Sequence, residues 1–471
     1  MEYKLSYYIF FSNPVDGLGS RVVYSTKSSK TVLITKICHE FLINGLIDQI
    51  PKSITQVLIE NGIVVNKNEN EFESIIDENI ESGKAEDGIL YEVIQPTAMC
   101  QLGCYYCGQK HTKDYLENDI IDKIVERINL KFRVGNYKGI YIGWFGAEPL
   151  MGLPQMRHMY NKLKESINDD SVKIKGKVVT NGLSLKEGIF NELANELYID
   201  YIEVTLDGAQ EYHDKHRYTK SGGDSFDIIY GNIKKIILSE NYKNSKCKIG
   251  IRCNVDHQNV DGVIPLINLL AEDGLHDKIE SLYFMGIYSW GGNDAQNGSL
   301  TKEEMAMMRL KWEVQKIKLG YPVSLVLHGR KTNTCIATST KSEMYDAFGN
   351  IYNCTEVSYA DFYDGTSYKL GNIKEDHKKV FADKPHNDWF QIVRGSDKYP
   401  CHSCKLLPVC GGSCPKAWNE NNPPCPPFKY NIIKEIELKY ILRKTPKENL
   451  NEKLDQFVMA FKPEDFKRIG K

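Results

Sequence analysis

Three cysteines in one short loop are the residues of this sequence best suited to chemistry. Cys100, Cys104 and Cys107 follow the spacing C-x3-C-x2-C, which brings three thiolates onto one loop. A cubane of four irons and four sulfides takes four ligands, so three cysteines would leave one iron without a protein ligand. Half of a zinc knuckle is the alternative, but zinc pairs are usually spaced C-x2-C with partners close by in sequence. The spacing therefore favours an iron–sulfur cluster over zinc.

Buried strands with polar or glycine-rich ends surround this loop in sequence. The apolar run 89–94 precedes the cysteine loop, and the run 139–145 precedes Gly146-Ala147-Glu148-Pro149. The run 178–179 precedes Thr180-Asn181-Gly182, and the run 201–206 precedes Asp207-Gly208. Each motif alone is weak evidence. Together, and in this order, they resemble the radical S-adenosylmethionine (SAM) superfamily, whose cysteine loop is followed by a G-G-E-P-like motif and a later strand that contacts the ribose.

Two further strands, at 247–255 and 281–288, bring the number to six, and helical segments alternate with the strands from about residue 88 to 330. This alternation predicts an α/β fold with a parallel sheet. In barrels of this type the loops at the carboxyl ends of the strands carry the chemistry. The resemblance implies a partial, TIM-like (β/α)6 barrel.

Side-chain alternation along two of these strands sorts residues between the barrel interior and its outer face. We expect four side chains to point inward, Thr205, Asp207, Arg252 and Asn254. Cys247 and Cys253 fall on the other face. We expect them to be buried against helices rather than to act as ligands.

The resemblance also implies roles for individual residues. Cys100, Cys104 and Cys107 would hold the cluster, and SAM would chelate the open iron through its amino and carboxylate groups. The turn from Gly146 to Pro149 would meet the amino group with its backbone. Arg217 would pair with the carboxylate of SAM as a bidentate guanidinium. The expected cofactor-binding residues are Gly146, Ala147, Glu148, Pro149, Asn181, Thr205, Asp207, Arg217 and Asn254.

Two features of this region depart from or add to the family pattern. Ala147 stands where the family often has glycine. Alanine suits most backbone conformations with φ below zero, so the departure weakens the resemblance only slightly. His213, Asp214 and His216 precede Arg217, and we expect them to form a helix-capping or surface cluster.

The activity implied by the resemblance is reductive cleavage of SAM. A reduced cluster would pass one electron to the sulfonium and leave a 5′-deoxyadenosyl radical, which takes a hydrogen atom from an unactivated substrate carbon. The electron would come from a donor such as flavodoxin or ferredoxin.

A second cysteine array occupies the carboxyl-terminal third of the sequence. Its members are Cys335, Cys354, Cys401, Cys404, Cys410, Cys414 and Cys425. The array resembles the SPASM domain of radical SAM enzymes that act on peptides and proteins; a zinc ribbon with scattered thiols is the alternative. The resemblance implies an outer auxiliary cluster on Cys401, Cys404, Cys410 and Cys425. It implies an inner auxiliary cluster on Cys335, Cys354 and Cys414. With the cluster on the cysteine loop, this makes three 4Fe-4S clusters in all. A distant group such as Cys38 would supply the fourth inner ligand, or one iron stays open; we favour the open iron.

The amino-terminal segment has a different pattern. Short strands are predicted at 7–11, 21–24 and 31–35, helices at 37–44 and 53–61, and a returning strand at 64–65. This order resembles the winged-helix-like precursor-recognition element of ribosomal peptide maturases, which adds a leader peptide as a strand, here beside 31–35. A plain capping domain is the alternative.

The remaining segments and the composition complete the domain prediction. Residues 69–84 are expected to be a solvated helix or linker. The predicted domains are a recognition element at 1–85, a partial barrel at 86–330, a SPASM domain at 331–434 and a docking helix or tail at 435–471. A formal net charge of -2 gives no electrostatic case for a nucleic-acid or membrane partner. Thirteen cysteines without a signal peptide indicate metal or cluster binding in a reducing cytoplasm.

Three functions compete on these grounds. The leading hypothesis is a maturase that installs a thioether or carbon–carbon cross-link in a ribosomally made precursor peptide. The second is a sulfatase-maturating enzyme that forms formylglycine. Those enzymes typically lack a front domain and have an acidic residue just after the second SPASM cysteine, where this chain has Thr355. The third is a non-catalytic, cluster-bearing scaffold that only binds peptide.

Overall fold

The computed structural model describes residues 2–84, 88–135, 137–322, 327–381, 383–396 and 398–470. The strands are β1 (Tyr3–Leu5), β2 (Ile9–Phe11), β3 (Arg21–Ser25), β4 (Lys30–Ile34), β5 (Val64–Asn66), β6 (Ile89–Ile94), β7 (Gly139–Trp144), β8 (Lys173–Thr180), β9 (Ile199–Thr205), β10 (Lys248–Val255), β11 (Ser281–Gly286), β12 (Met344–Tyr345), β13 (Asn350–Tyr352) and β14 (Lys369–Asn372).

The helices are α1 (Lys36–Ile43), α2 (Lys52–Glu60), α3 (Glu71–Lys84), α4 (Asn118–Val134), α5 (Leu153–Ile167), α6 (Glu187–Asn195), α7 (Gln210–His216), α8 (Phe226–Leu238), α9 (Glu240–Asn244), α10 (Val263–Glu272), α11 (Lys302–Lys318), α12 (Ile373–Asp376), α13 (Trp389–Gly395), α14 (Leu407–Cys410), α15 (Pro415–Asn419), α16 (Phe428–Lys444) and α17 (Lys447–Met459). Short 3-10 turns cover Ile47–Gln49, Pro149–Gly152, Val260–Gly262, Ala295–Gly298, Ile336–Thr338, Asp361–Tyr363, Pro400–Ser403 and Pro463–Phe466.

The six predicted barrel strands form one sheet in the order β11-β10-β9-β8-β7-β6, and every neighbouring pair is parallel. The predicted α/β fold with a six-stranded parallel core is therefore confirmed. Strand β8 begins at Lys173, earlier than the apolar run at 178–179 suggested. Its first half alternates lysines with buried residues such as Ile174, so it presents one polar face and lacks a continuous apolar run.

Three short strands from the cysteine-rich region extend this sheet beyond β6. Strand β12 pairs parallel with β6, and β13 and β14 follow in antiparallel pairs. None of the three was predicted, because strands of two to four residues leave no readable alternation. Their pairing joins the cysteine-rich region directly to the edge of the barrel.

A buried ionic network reinforces the same junction. Glu343, just before β12, pairs with Arg127 of α4 at 2.7 Å and with Lys384 at 3.2 Å. Lys131 of α4 lies 3.1 Å from Glu343 and also pairs with Glu92 of β6. Since buried charges are costly unless paired, this network fixes how the cysteine-rich region sits against the barrel.

The main core lies between the parallel sheet and its surrounding helices. Helices α4, α5, α6, α8 and α10 pack their apolar sides against the outer face of the strands. Cys247 and Cys253 belong to this core and are 1% and 0% exposed. Their expected burial against helices is confirmed.

The amino-terminal segment forms a small antiparallel sheet, β2-β3-β4, with β1 and β5 paired beside it. Helices α1 and α2 match the predicted segments within one residue, and Gly62 ends α2 with a φ of +66°. The helix expected within 69–84 is confirmed as α3, but the expectation that it is solvated is wrong. Its Ile75 and Ile76 are fully buried in a core shared with α13. Its many acidic residues conceal an apolar stripe at helical spacing.

The carboxyl-terminal tail is also firmly packed. Helix α16 starts at Phe428, before the predicted boundary at 435, and its Ile432 and Ile436 pack against Val22 and Tyr24 of β3. Within the described parts of the chain, no helix combines the length and apolar character needed to cross a bilayer.

Candidate functional site

The carboxyl ends of the parallel strands surround one cavity that most of the predicted residues line. The cysteine loop follows β6 and reaches this cavity together with the turns after β7, β8, β9 and β10. The predicted residues that line it are Cys100, Cys104, Cys107, Gly146, Ala147, Asn181, Thr205, Arg217 and Asn254. Glu148, Pro149 and Asp207 lie behind this lining and are buried.

The turn after β7 depends on two residues with positive φ. Gly146 has a φ of +87°, and a Cβ at this position would stand 1.9 Å from Nε2 of Gln95, so a larger residue cannot fit without displacing Gln95. Ala147 has a φ of +46°. The assumption that alanine suits this site because φ is negative is therefore wrong. An alanine in the left-handed region costs about 1–2 kcal/mol, so the departure from glycine carries a real strain.

Glu148 joins this turn to the end of β8. Its carboxylate accepts hydrogen bonds from the Thr180 hydroxyl at 2.6 Å, from the Asn181 backbone N–H at 2.7 Å and from the Leu150 backbone N–H at 3.0 Å. Burial raises the pKa of Glu148 even though these hydrogen bonds oppose the shift. The side chain therefore positions the turn and the Asn181 backbone, and its oxygens are occupied within the protein.

Tyr106, in the cysteine loop, connects three predicted residues and was not singled out from the sequence. Its hydroxyl donates to Asp207 Oδ2 at 2.6 Å and accepts from Arg217 Nη1 at 2.5 Å and from Asn254 Nδ2 at 3.0 Å. The backbone N–H of Asn254 also donates to Asp207 Oδ1 at 2.8 Å. This network fixes the guanidinium and the amide at the cavity wall.

Arg217 retains unused hydrogen-bonding capacity. Its Nη1 also lies 3.8 Å from Asp207 Oδ2, but its buried Nε has no hydrogen-bond partner within the described residues. A buried, unpaired guanidinium N–H beside a cavity suits an anionic ligand, because binding would satisfy the orphaned donor.

The two histidines that precede Arg217 are buried, so the expectation of a surface cluster is wrong for them. His213 accepts from the Asp207 backbone N–H at 3.1 Å, and His216 lies 3.4 Å from Asp256. Burial lowers the pKa of both imidazoles. Asp214 does cap a helix, since its Oδ1 accepts from two backbone N–H groups at the start of α8.

The three loop thiols fit an iron–sulfur cluster. All three line one cavity, and Asn181 Nδ2 stands 3.7 Å from the Cys100 sulfur while His111 Nε2 stands 3.9 Å from the Cys107 sulfur. Burial raises the pKa of Cys100 and of Cys104 to about 11, so both thiols are neutral until a cation replaces their protons. Among the described residues, no three His, Cys, Asp or Glu side chains are close enough to share a single ion. In a cubane each cysteine binds a different iron.

The second cysteine array divides into two groups. Four of its cysteines line one small cavity together, Cys401, Cys404, Cys410 and Cys425. Cys335, Cys354 and Cys414 form the second group: burial raises the pKa of the Cys354 thiol well above its ordinary value, and the neighbouring Cys335 and Cys414 raise it further. Cys38 belongs to neither group: it packs in the core of the amino-terminal sheet. It is therefore wrong as a candidate fourth ligand of the inner set.

One part of the cavity lining was largely missed by sequence reasoning. It consists of Arg252, Tyr288, Trp290 and Glu356. The Tyr288 hydroxyl donates to Glu356 Oε2 at 2.9 Å, and the Trp290 indole N–H donates to the Glu356 carbonyl at 2.5 Å. Strand alternation had placed Arg252 inward. The only sequence signal for Glu356 is its position two residues after Cys354.

Comparison with known proteins agrees with this geometry. Residues 94–247 match the Radical SAM superfamily. An uncharacterized protein of Synechocystis sp. is 30% identical over 143 residues, which are 28% of this chain and 34% of that protein. The serine-type anaerobic sulfatase-maturating enzyme of Bacteroides thetaiotaomicron is 22% identical over 373 residues, 69% of this chain and 83% of that enzyme. This chain thus spans about a third of the first relative and most of the second.

A solved structure shares the fold. The structure of anSMEcpe with bound AdoMet and Cp18Cys peptide aligns with 78% of this chain and 99% of its own length, with a TM-score of 0.54 and 19% sequence identity. Residues 94–247 therefore form a radical SAM domain, which supports an enzyme of the radical SAM type.

Proposed function

We propose that this enzyme is a peptide maturase, which cleaves SAM and uses the resulting radical to cross-link a ribosomally made precursor peptide through a thioether or carbon–carbon bond. The observation that carries the proposal is the shared cavity. The cavity is lined both by Cys100, Cys104 and Cys107 and by Glu356, which lies two residues after Cys354 of the inner cysteine group. A substrate in this cavity would contact both.

The residues around the cavity have separate tasks in this proposal. Cys100, Cys104 and Cys107 would hold a 4Fe-4S cluster, and the unpaired Nε–H of Arg217 would bind the carboxylate of SAM. SAM and a cluster held there would supply the radical chemistry for taking a hydrogen atom from a substrate carbon. Asn254, held by Tyr106 and Asp207, would bond the ribose or methionine portion.

The remaining predicted residues of this cavity support the same ligand. Asn181 and Thr205 line the cavity and would bond the ribose or methionine portion. The backbone at Gly146 and Ala147 reaches the cavity and would meet the SAM amino group. Glu148 and Pro149 lie behind this surface and would act by holding the turn.

The auxiliary cysteines fit two further clusters in this proposal. The outer group of four would hold a complete 4Fe-4S cluster, and the inner group of Cys335, Cys354 and Cys414 would leave one iron open to a substrate thiolate or peptide atom. Free thiols and oxygen-sensitive clusters suit a reducing cytoplasm with a donor such as flavodoxin or ferredoxin.

Sulfatase maturation is the second candidate, and one observation favours it. The absence of an acidic residue at Thr355 was an argument against it, yet Glu356 places a carboxylate in the cavity from the next position. A carboxylate there could accept the proton that formylglycine formation releases from the substrate.

The precursor would enter through residues 1–85 in the leading proposal. Strand β4 pairs only with β3 within the described residues, which leaves its other edge free to accept an added peptide strand.

The test is the mass change of a precursor peptide encoded beside this gene, after anaerobic incubation with iron-reconstituted enzyme, SAM and dithionite. Loss of two hydrogens from the peptide is the expected result. Conversion of a cysteine or serine to formylglycine in a sulfatase peptide would select the second candidate. Recovery of both peptides unmodified, with SAM cleaved, would reject both.

A further inference from the structure

A groove lies between the free edge of β4 and the carboxyl-terminal end of α16. It has a volume of about 300 Å³ and is lined on one side by Thr31, Val32 and Leu33 of β4 and by Val57 of α2. Its other side is the last two turns of α16, from Lys439 to Lys444. The packing of α16 against β3 fixes the distance between the two sides.

The β4 side of the groove is apolar and open to solvent. Leu33 and Val57 are each 44% exposed, and both project into the groove. Single exposed aliphatic residues are common on protein surfaces, but these two lie together at an unpaired strand edge. Such an edge offers backbone N–H and C=O groups that a second strand can pair with.

The α16 side of the groove is basic and its charges are not neutralised. Lys439, Arg443 and Lys444 have no acidic partner within the described residues. One turn earlier, Lys434 pairs with Glu437 at 3.1 Å and with Asp465 at 3.4 Å, so the same helix does neutralise its charges outside the groove. Burial and the nearby Arg443 both lower the pKa of Lys439, as expected where positive charges face one another without an anion.

We infer that this groove binds an extended, acidic segment of the peptide substrate, with its backbone paired to β4 and its carboxylates on Lys439, Arg443 and Lys444. The inference rests on the proposed function, and it adds that the carboxyl-terminal helix selects the charge of the bound segment. Leu33 pairs with Val22, which packs against α16, whereas Val32 pairs with Val23 on the opposite face of the sheet. Because alternate residues of an added strand point to opposite faces, its acidic side chains would face α16 beside Leu33 while apolar ones lie on the Val32 face. The unpaired strand edge favours a peptide over a nucleic acid, which has no backbone amides to pair with it.

The experiment measures binding of two synthetic peptides to the full-length protein by fluorescence anisotropy. One fluorescein-labelled peptide alternates glutamate with valine or threonine, and the matched peptide carries lysine at each glutamate position. We expect the glutamate peptide to bind at least about tenfold more tightly at low salt, since each exposed ion pair contributes modestly, and the ratio to fall as salt is added.

Variants of exposed residues locate the binding. The double variant Arg443→Glu with Lys444→Glu should abolish or reverse the charge preference, and Leu33→Asp should weaken the glutamate peptide about tenfold or more. Lys453→Glu reverses one positive charge on α17, outside the groove, and should leave the preference intact.

Three results would overturn the inference: no binding of the glutamate peptide up to about 1 mM, equal binding of both peptides, or an unchanged preference in the double variant. Tighter binding of a single-stranded oligonucleotide of equal charge would also overturn it. Release of 5′-deoxyadenosine by the same wild-type protein reports on the proposed function separately. If the protein cleaves SAM but binds both peptides equally, the inference about the groove is refuted and the proposed function is not. If it prefers the glutamate peptide but does not cleave SAM, the proposed chemistry is refuted and the inference about peptide binding is not.

Discussion

Replacing Tyr106 with phenylalanine removes one hydroxyl from the centre of the proposed SAM site. That hydroxyl holds Arg217 Nη1 at 2.5 Å and donates to Asp207 at 2.6 Å. Without it, the guanidinium has a competing partner, because Asp207 Oδ2 already lies 3.8 Å from Nη1. We expect Arg217 to form a direct ion pair with Asp207 in the variant and to turn away from the cavity.

The size of the effect follows from the bonds that are lost. A hydrogen bond to a charged group contributes about 1.5–3 kcal/mol, and binding of SAM would have to separate the new ion pair again. A loss of about 2–3 kcal/mol raises the Kd for SAM by about 30- to 150-fold, since every 1.4 kcal/mol is tenfold. Isothermal titration of iron-reconstituted protein with SAM under anaerobic conditions measures this change.

The neighbouring tyrosine provides a matched control. The hydroxyl of Tyr105 is buried but has no hydrogen-bond partner within the described residues, so Tyr105→Phe removes the same atom from the same loop without breaking a bond. We expect its Kd to stay within about twofold of the wild type. Equal affinities for SAM in the wild type, Tyr105→Phe and Tyr106→Phe would refute the assignment of Arg217 to the carboxylate.

Three further substitutions test the supports of the site. Glu343→Gln should lower the free energy of unfolding by about 3–5 kcal/mol, because it leaves the buried charge of Arg127 without its counter-ion; urea denaturation measures the loss. Ala147→Gly should raise stability by about 1 kcal/mol, because glycine adopts a φ of +46° without the strain of a Cβ, and calorimetry should detect a higher Tm. Glu148→Gln should lower the free energy of unfolding by about 1–3 kcal/mol, because the NH2 group of the new amide would face one of the donors that the carboxylate now accepts from. Hydrogen exchange at the Asn181 amide should then be faster.

Each of these has a comparison that can contradict it. Glu192→Gln breaks the partly exposed pair with Arg157 and should cost less than about 1 kcal/mol; an equal cost for Glu343→Gln would mean that the buried network does not hold the junction. A lower Tm for Ala147→Gly would show that the strain argument is wrong. Unchanged exchange at Asn181 in Glu148→Gln would show that the carboxylate does not fix the end of β8.

The barrel could be predicted from the sequence because parallel strands buried on both faces read as continuous apolar runs. Strands β6 and β7 begin where the runs at 89–94 and 139–145 begin, and β6 also ends there. Alternation along β10 correctly separated Arg252 and Asn254 at the cavity from Cys253 in the core. Strands β12 to β14 escaped prediction because their stability comes from the edge of β6, which a local pattern does not contain.

The site residues that were not predicted from the sequence were missed for a different reason. Tyr106 and Trp290 lie in loops, where no periodicity assigns a direction to a side chain. Tyr106 bonds Asp207, 101 positions away, and Trp290 bonds Glu356, 66 positions away, so these partners come together only in the folded chain. The φ of Ala147 likewise follows from the geometry of the turn after β7 and not from the preference of alanine.

The most direct test of the central claim is 5′-deoxyadenosine release by the reduced, iron-reconstituted protein. The account predicts release by the wild type and by Cys253→Ala, whose thiol is 0% exposed in the core, and none above background by Cys104→Ala, whose thiol lines the cavity. Undiminished release by Cys104→Ala, or its absence from the wild type loaded with iron and sulfide, would contradict the account.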